Sequence, residues 1–310
     1  MLCYCGRQRV QKIKSLSGST NREKQTAVTS LRRTKSFKLA DLLTLIGLKR
    51  STYYYLEAHP LNMSSDNKIA DVIRQIKSPQ FQTEYGYRRV TTLLHDQGYL
   101  VNHKRVLRIM RQNALLSTTY NTRKRRYNSY RGTVGRIAER VIKRDFQADA
   151  PYQKIVTDVT EMQLNDHNKA YLTAFVDLYA GEVLSYHLAK TPTMTLVMRP
   201  LKALSKHRGA IIHSDQGFHY QTPMFINTLK DFGMTQSMSR KSTPVDNAPI
   251  ESFFHILKAN IVHHKQYESF HDFKVVVDDF INYYNNHRIK QKLNGLSPVQ
   301  YRQLTTESVS

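Results

Sequence analysis

Cysteine is nearly absent from this chain: Cys3 and Cys5 are the only two in 310 residues. That count excludes a disulfide framework and a zinc ligand set, and it points to a reducing, cytoplasmic setting. Long apolar runs are missing too. None approaches the ~18 residues that a membrane span requires, and residues 1–20 lack the apolar stretch of a secretory signal. Acidic residues are scarce, 24 Asp and Glu against 47 Lys and Arg, which leaves a formal charge of +23.

The excess charge is unevenly spread. Residues 1–150 hold 30 Lys and Arg against 10 Asp and Glu, residues 151–265 hold 12 against 9, and residues 266–310 hold 5 against 5. A strongly basic first half ahead of a nearly neutral second half suggests that one part grips a polyanion while another does chemistry. A plain solubilising face is the bland alternative, but such faces usually mix signs. At this length the chain has room for one sizeable core and one or two smaller modules.

Residues 1–20 are basic, small and aperiodic, and read as a disordered tail. Residues 21–60 read as a small helix-turn-helix-like segment. Its amphipathic stretch Lys38–Ile46 is broken by Gly47, and Ser51 is placed to cap a helix from Thr52 to Leu56. The outline recurs in residues 61–116. Tyr87–Gln97 carries the stripe Val90, Leu93 and Leu94. After Gly98, Asn102 caps a second helix with Val106, Leu107, Ile109 and Met110 inward and His103, Lys104, Arg105, Arg108 and Arg111 outward. Basic side chains on such a helix reach phosphates and base edges; a merely solvated face is the other reading. Residues 117–150 read as a basic linker, with Arg123, Lys124, Arg125 and Arg126 at its centre and Tyr127 and Tyr130 interleaved. Such a run cannot bury itself and orders best along a nucleic-acid backbone, a plain spacer being the alternative.

Residues 151–265 change to a β/α pattern. Strands are expected at Lys154–Leu164, Ala170–Leu178 and Gly181–Ala189, then a helix at Thr193–Ser205, a strand at Ala210–His213, and a helix at Thr222–Phe232. A short strand at Thr235–Ser239 and a helix at Ile250–Ile261 follow. Three linked strands followed by alternation give the mixed sheet of a ribonuclease H-like core, although other α/β arrangements share the pattern. Residues 266–310 form a C-terminal helical extension. Three acids stand out: Asp158 in VTDVTEM and Asp215 in IIHSDQG, both expected at or near strand ends, and Glu251 in VDNAPIESFF, at the start of a helix. A carboxylate beside buried strand residues is costly unless paired or bound to a cation. Two strand carboxylates and one helix carboxylate converging make a site for hard divalent cations, which act in pairs on phosphate esters. Each acid alone has a structural reading, as a turn residue or a first-turn helix carboxylate.

On Thr157-Asp158-Val159-Thr160, His213-Ser214-Asp215-Gln216-Gly217, Asp246-Asn247-Ala248-Pro249-Ile250-Glu251-Ser252-Phe253 and the tail Tyr284-Asn285…Arg288…Leu293…Leu296-Ser297-Pro298…Tyr301, the chain resembles the orfB transposases of the insertion sequence 3 type, whose core is similar to retroviral integrase. The 35 residues between Asp215 and Glu251 match that family's DDE interval. Tyr85-Gly86-Tyr87-Arg88-Arg89 and Arg50-Ser51-Thr52-Tyr53-Tyr54-Tyr55 resemble motifs of its N-terminal half. Together these motifs span residues 22–302 in order. The family often carries tryptophan near the first Asp and after HSDQG; this chain has no Trp and places Ile155 and Phe218 there.

The resemblance implies a multidomain protein in which α-helical, helix-turn-helix-like modules precede an α/β, integrase-like catalytic core. It implies that Asp158, Asp215 and Glu251 are catalytic and ligate two Mg²⁺ or Mn²⁺ ions for end cleavage and 3′-hydroxyl strand transfer. The implied partners are the terminal inverted repeats, target DNA, further copies of the chain on DNA, and an orfA product. Lys258, seven residues after Glu251, returns to nearly the same helix face, with His255 beside it; both are candidates to contact DNA, a solvated lysine being the alternative. His263-His264 lack further ligands at metal spacing. Two other functions stay open: a ribonuclease H-like nuclease without strand joining, and a catalytically decayed DNA-binding regulator.

Overall fold

The computed structural model describes residues 19–33, 37–59, 63–117, 138–139, 141–142, 145–165, 168–239, 247–262 and 266–307. The basic tail before residue 19 and the linker stretch 118–137, with Arg123, Lys124, Arg125 and Arg126, lie outside them, as do His263 and His264. The chain divides after Ile69 into two compact units.

The first unit is a three-helix bundle of α1 (Asn21–Arg33), α2 (Leu39–Ile46) and α3 (Arg50–Ala58). Thr20 and Glu23 exchange bonds in a capping box that starts α1, satisfying amide groups with no intrahelical acceptor. Gly47 ends α2 at φ 65°, a left-handed value that costs glycine little, and its turn sends Leu48 back into the core. Val28, Leu31, Leu42, Leu43, Ile46, Leu48 and Tyr53 make that core. Helix α3 starts two residues earlier than Ser51 capping requires: Lys49 occupies the cap without a side-chain bond, and Ser51 lies inside the first turn. The division between units falls within α4 (Met63–Lys77).

In the second unit, α5 (Tyr87–Asp96) and α6 (His103–Gln112) form a helix-turn-helix around Gly98, at φ 84°. The Asn102 side chain accepts from the Lys104 amide and so caps α6. Val90, Leu94, Val106, Ile109 and Met110 are buried as expected, while Leu93 and Leu107 are only half-buried.

A five-stranded mixed sheet follows, with β1 (Lys154–Gln163), β2 (Lys169–Asp177), β3 (Val183–Ala189), β4 (Ile211–Ser214) and β5 (Thr235–Met238) in the order β3-β2-β1-β4-β5. The first three strands form an antiparallel meander, and β4 and β5 add in parallel. Helix α7 (Met194–Lys202) packs on β2 and β3, α8 (Pro223–Asp231) on β5, and α9 (Ala248–Ile261) on β1. Ile155, Phe175, Val197, Leu201, Ile212 and Phe225, each 0% exposed, lie in the shared core. Two described residues of the expected linker do not behave as a free spacer. The Val141 amide donates to the Ser237 hydroxyl and Ile142 is 3% exposed, because β5 is an edge strand whose outer groups need covering.

Helices α10 (Phe270–Asn286) and α11 (Pro298–Glu307) complete the unit. The Asn285 amide exchanges two bonds with the Val183 backbone, fixing α10 to β3. The Ser297-Pro298 motif is a helix start: the Ser297 hydroxyl accepts from the Gln300 amide, and proline takes the first helical position, where no donor is needed. Among the described residues no helix is long and apolar enough to cross a membrane.

Candidate active site and nucleic-acid surface

Asp158 lies in the middle of β1, paired with Ala174, and not at the strand end the sequence pattern favoured. The strand is longer than its apolar run, because antiparallel pairing with β2 carries it through the polar residues to Gln163, whereas β4 pairs only with Lys154, Ile155 and Val156. Asp215 follows β4 directly, and its Oδ1 accepts from the Gly217 amide at 2.8 Å. A Cβ on Gly217 would stand 2.8 Å from that same oxygen, so the turn leaves no room for a side chain. Glu251 occupies the exposed first turn of α9, which packs on β1.

The fold brings the three charges within electrostatic reach. Burial pushes the Asp158 carboxyl well above the usual aspartate range; negative charge on Asp215 and, more weakly, Glu251 pushes the same way, against the Val159 amide and the Lys258 ammonium. Asp215 is also raised, first by burial, with the Gly217 amide and His219 opposing. Beneath them Tyr220, 1% exposed, approaches Thr157 Oγ1 at 3.3 Å. Its phenol is raised well above its usual range by burial and then by the two aspartates, so it stays neutral. Lys258 is half-buried; burial lowers its ammonium, while Asp158 and Glu161 hold the proton on.

Among the described residues no three His, Cys, Asp or Glu side chains stand close enough to enclose a metal ion. The chemistry of the donor set nonetheless fits a hard cation. Asp158 and Asp215 are oxygen donors whose ionised forms are disfavoured by burial, and a bound cation relieves that penalty.

The other expected contacts separate into groups. His255 lies half-buried on α9. On α6, Lys104 and Arg111 are exposed, whereas Arg105 and Arg108 are half-buried and Arg108 donates to Gln112 at 3.1 Å. The sequence reading missed Glu161, which faces Lys258 from β1 three residues beyond Asp158, and Tyr220; their proximity depends on tertiary packing alone. It also assigned no role to Arg288 and Lys290, which are buried.

Comparison with known proteins places the chain in a class. The integrase core domain matches residues 148–244 and, in a second profile, residues 251–305, and an HTH-like domain matches residues 64–126. A helix-turn-helix segment ahead of such a core defines a nucleotidyl-transfer enzyme of the transposase and integrase class. The protein named as transposase InsK for insertion sequence element IS150 of Escherichia coli K12 is 41% identical over 275 residues, covering 87% of this chain and 95% of the relative. Transposase InsF for insertion sequence IS3A of the same organism is 32% identical over 222 residues, 70% of this chain and 76% of the relative. The chain belongs to the insertion sequence 3 family of transposases. Among solved structures, the HTLV-2 integrase catalytic core domain in complex with magnesium aligns with 50% of this chain and 98% of its own, at 18% identity and a TM-score of 0.39.

Proposed function

We propose that this transposase binds the terminal inverted repeats of its element, cleaves the strand there, and joins the freed 3′-hydroxyl to target DNA. The observation that supports the reading is the placement of Asp158 on β1, Asp215 at the end of the adjoining β4 and Glu251 on the helix that packs on β1, with the Lys258 ammonium as a counter-charge. Asp158, Asp215 and Glu251 would hold two Mg²⁺ or Mn²⁺ ions. When bound, such a pair activates the attacking oxygen and stabilises the leaving oxygen of an in-line displacement at phosphorus.

The chain's own residues hold the substrate in place for that displacement. The central strand and the Gly217 turn hold Asp158 and Asp215 rigidly, so little reorganisation accompanies the reaction. Tyr220, kept neutral, walls the acids from beneath without competing for a cation. Lys258 and His255 face the DNA backbone near the scissile phosphate. Lys104, Arg105, Arg108 and Arg111 of α6, with Arg123, Lys124, Arg125 and Arg126 of the linker, grip the end DNA. Water is the nucleophile in cleavage and the 3′-hydroxyl in joining. The reaction takes place on a DNA-bound assembly of copies of this chain at the nucleoid, with an orfA product as a further partner.

A strand-transfer assay on end DNA with Mg²⁺ tests this. Asp158→Asn, Asp215→Asn and Glu251→Gln should each abolish cleavage while DNA binding persists. Cleavage near the wild-type rate in any of them removes that residue from the assignment. Cleavage without joining by the wild-type chain favours a simple nuclease instead.

A further inference from the structure

Helix α9 carries three stripes. At 100° per residue, Ile250, Phe254, Leu257 and Ile261 form one and point into the core, while Glu251, His255 and Lys258 form a second. Pro249, Ser252, Phe253 and Ile256 form a third, turned by roughly 140° from the second. That third face lines a cavity of about 560 Å³ closed by the helix-turn-helix segment and the chain after α10. The cavity therefore lies on the opposite side of α9 from the acids.

Five cations line it: Arg88 and Arg89 from α5, and Arg288, Lys290 and Lys292 from the C-terminal segment. No carboxylate is among the described lining residues. Glu182, the acid whose charge acts on Lys290, already receives Arg302 at 2.6 and 3.2 Å. Lys290 is 8% exposed, donates to the Gly181 carbonyl at 3.0 Å and sits 4.5 Å over the Tyr284 ring; Arg288 is 4% exposed. The carbonyl and the ring orient Lys290 but do not neutralise it. Burial, and then Lys292, Arg288 and Arg89, hold the Lys290 ammonium well below the usual lysine range. Arg288 and Lys290 are buried in the recess while Arg88 and Lys292 are exposed at its rim, and like charges gathered in this way, with no carboxylate in the described lining, are placed for an anion.

Size and lining narrow the anion. Ligand sites of ~300–1,000 Å³ suit small organic molecules, and a bare phosphate fills little of such a space. Phe146, half-buried, adds aromatic surface beside the cations, and a ring next to a cationic cluster matches a base next to its phosphate. We infer that this cavity receives one nucleotide unit, with its phosphate toward Arg89, Arg288 and Lys292 and its base toward Phe146. A free nucleotide and a nucleotide unpaired from a DNA strand share that chemistry. The inference stands on the cavity and not on the roles assigned to the acids.

The test uses the full-length protein in EDTA, so that cleavage does not intervene. Affinity is measured for a labelled blunt duplex, for the same duplex with a three-nucleotide single-stranded overhang, and for 2′-deoxyadenosine 5′-monophosphate. Wild type should favour the overhang by about tenfold, the scale of one stacked base, or should bind the mononucleotide itself. The first outcome identifies a strand nucleotide, the second a free one. Ser252→Trp, which fills the cavity from an exposed position, and Arg88→Gln/Lys292→Gln should erase that binding, leave blunt-duplex affinity within about twofold, and melt like wild type. Wild type showing neither preference overturns the inference. So do variants that keep the preference, or that lose blunt and overhang binding equally. Loss of blunt-duplex binding on Lys104→Ala/Arg111→Ala reports on α6 separately.

Discussion

The Tyr283 hydroxyl donates to the Tyr85 hydroxyl at 2.6 Å, joining residues 198 apart in the chain and tying the segment before α5 to α10. Phe81 packs edge-on against Phe280 beside them, with ring centroids 5.3 Å apart, and the Arg89 guanidinium donates to the Ile289 carbonyl at 3.1 Å. The helix-turn-helix segment is thus seated on the C-terminal extension by a buried aromatic cluster with one polar bond at its centre.

That bond predicts a coupled pair. Tyr85→Phe or Tyr283→Phe leaves the other hydroxyl buried without its partner, a loss of about 1–3 kcal/mol, whereas removing both hydroxyls restores an apolar contact at smaller cost. A double-mutant cycle by chemical denaturation checks it; purely additive losses would show that the hydroxyls act independently.

The α6 surface predicts a salt-dependent grip. Lys104→Ala and Arg111→Ala should each weaken duplex binding whatever the sequence, and should flatten the plot of log affinity against log salt by ~0.9 for each phosphate that the variant no longer neutralises. Titrations at several salt concentrations measure the slope, and an unchanged slope removes that residue from the interface.

The acids predict a response that needs no turnover. Mg²⁺ should raise the melting temperature of the wild-type chain by binding only the folded state. Asp158→Asn should stabilise the metal-free protein, since it removes a buried charge that Asp215 and Glu251 oppose, and should abolish the Mg²⁺ shift. An equal Mg²⁺ shift in the variant would place the cation elsewhere.

Asp177 predicts a pH dependence. It is 0% exposed, and burial raises its carboxyl to about 6, with Glu182 adding to the rise and the Tyr179, Tyr152 and Ala180 amides opposing it. Arg302, bonded to Glu182, is the cation on the same side. The folded state holds this proton more tightly than the unfolded state, so the carboxyl costs nothing below about pH 4 and stability is lost as pH rises to about 6. Asp177→Asn should therefore gain on wild type between pH 4 and 7 by up to about 3 kcal/mol. A stability difference independent of pH would mean that the group keeps its ordinary proton affinity.

Much of this was legible in short stretches of sequence, for local reasons. Gly47 and Gly98 mark left-handed turns, Asn102 caps the helix that follows it, and the apolar spacing of β1 to β5 gives the strand order along the chain. The three acids stand out in the sequence because each sits in a distinctive local motif. The cluster of Arg88, Arg89, Arg288 and Lys290 does not, because it is assembled from segments about 200 residues apart by the docking of the chain around α5 on α10 and the segment that follows it, and nothing within either segment encodes its neighbour. Ile142 was missed for a related reason: a basic run reads as solvated until an edge strand is there to receive it.

The central position of β1 has a kinetic consequence. Asp158 sits on the central strand, paired with Ala174 of β2, where backbone amides open with the surrounding sheet, whereas Glu251 sits in the first turn of a helix, where opening is local and frequent. In hydrogen-exchange terms the carboxylates keep different clocks. Glu251 can leave and return many times within the lifetime of the folded sheet while Asp158 stays in place.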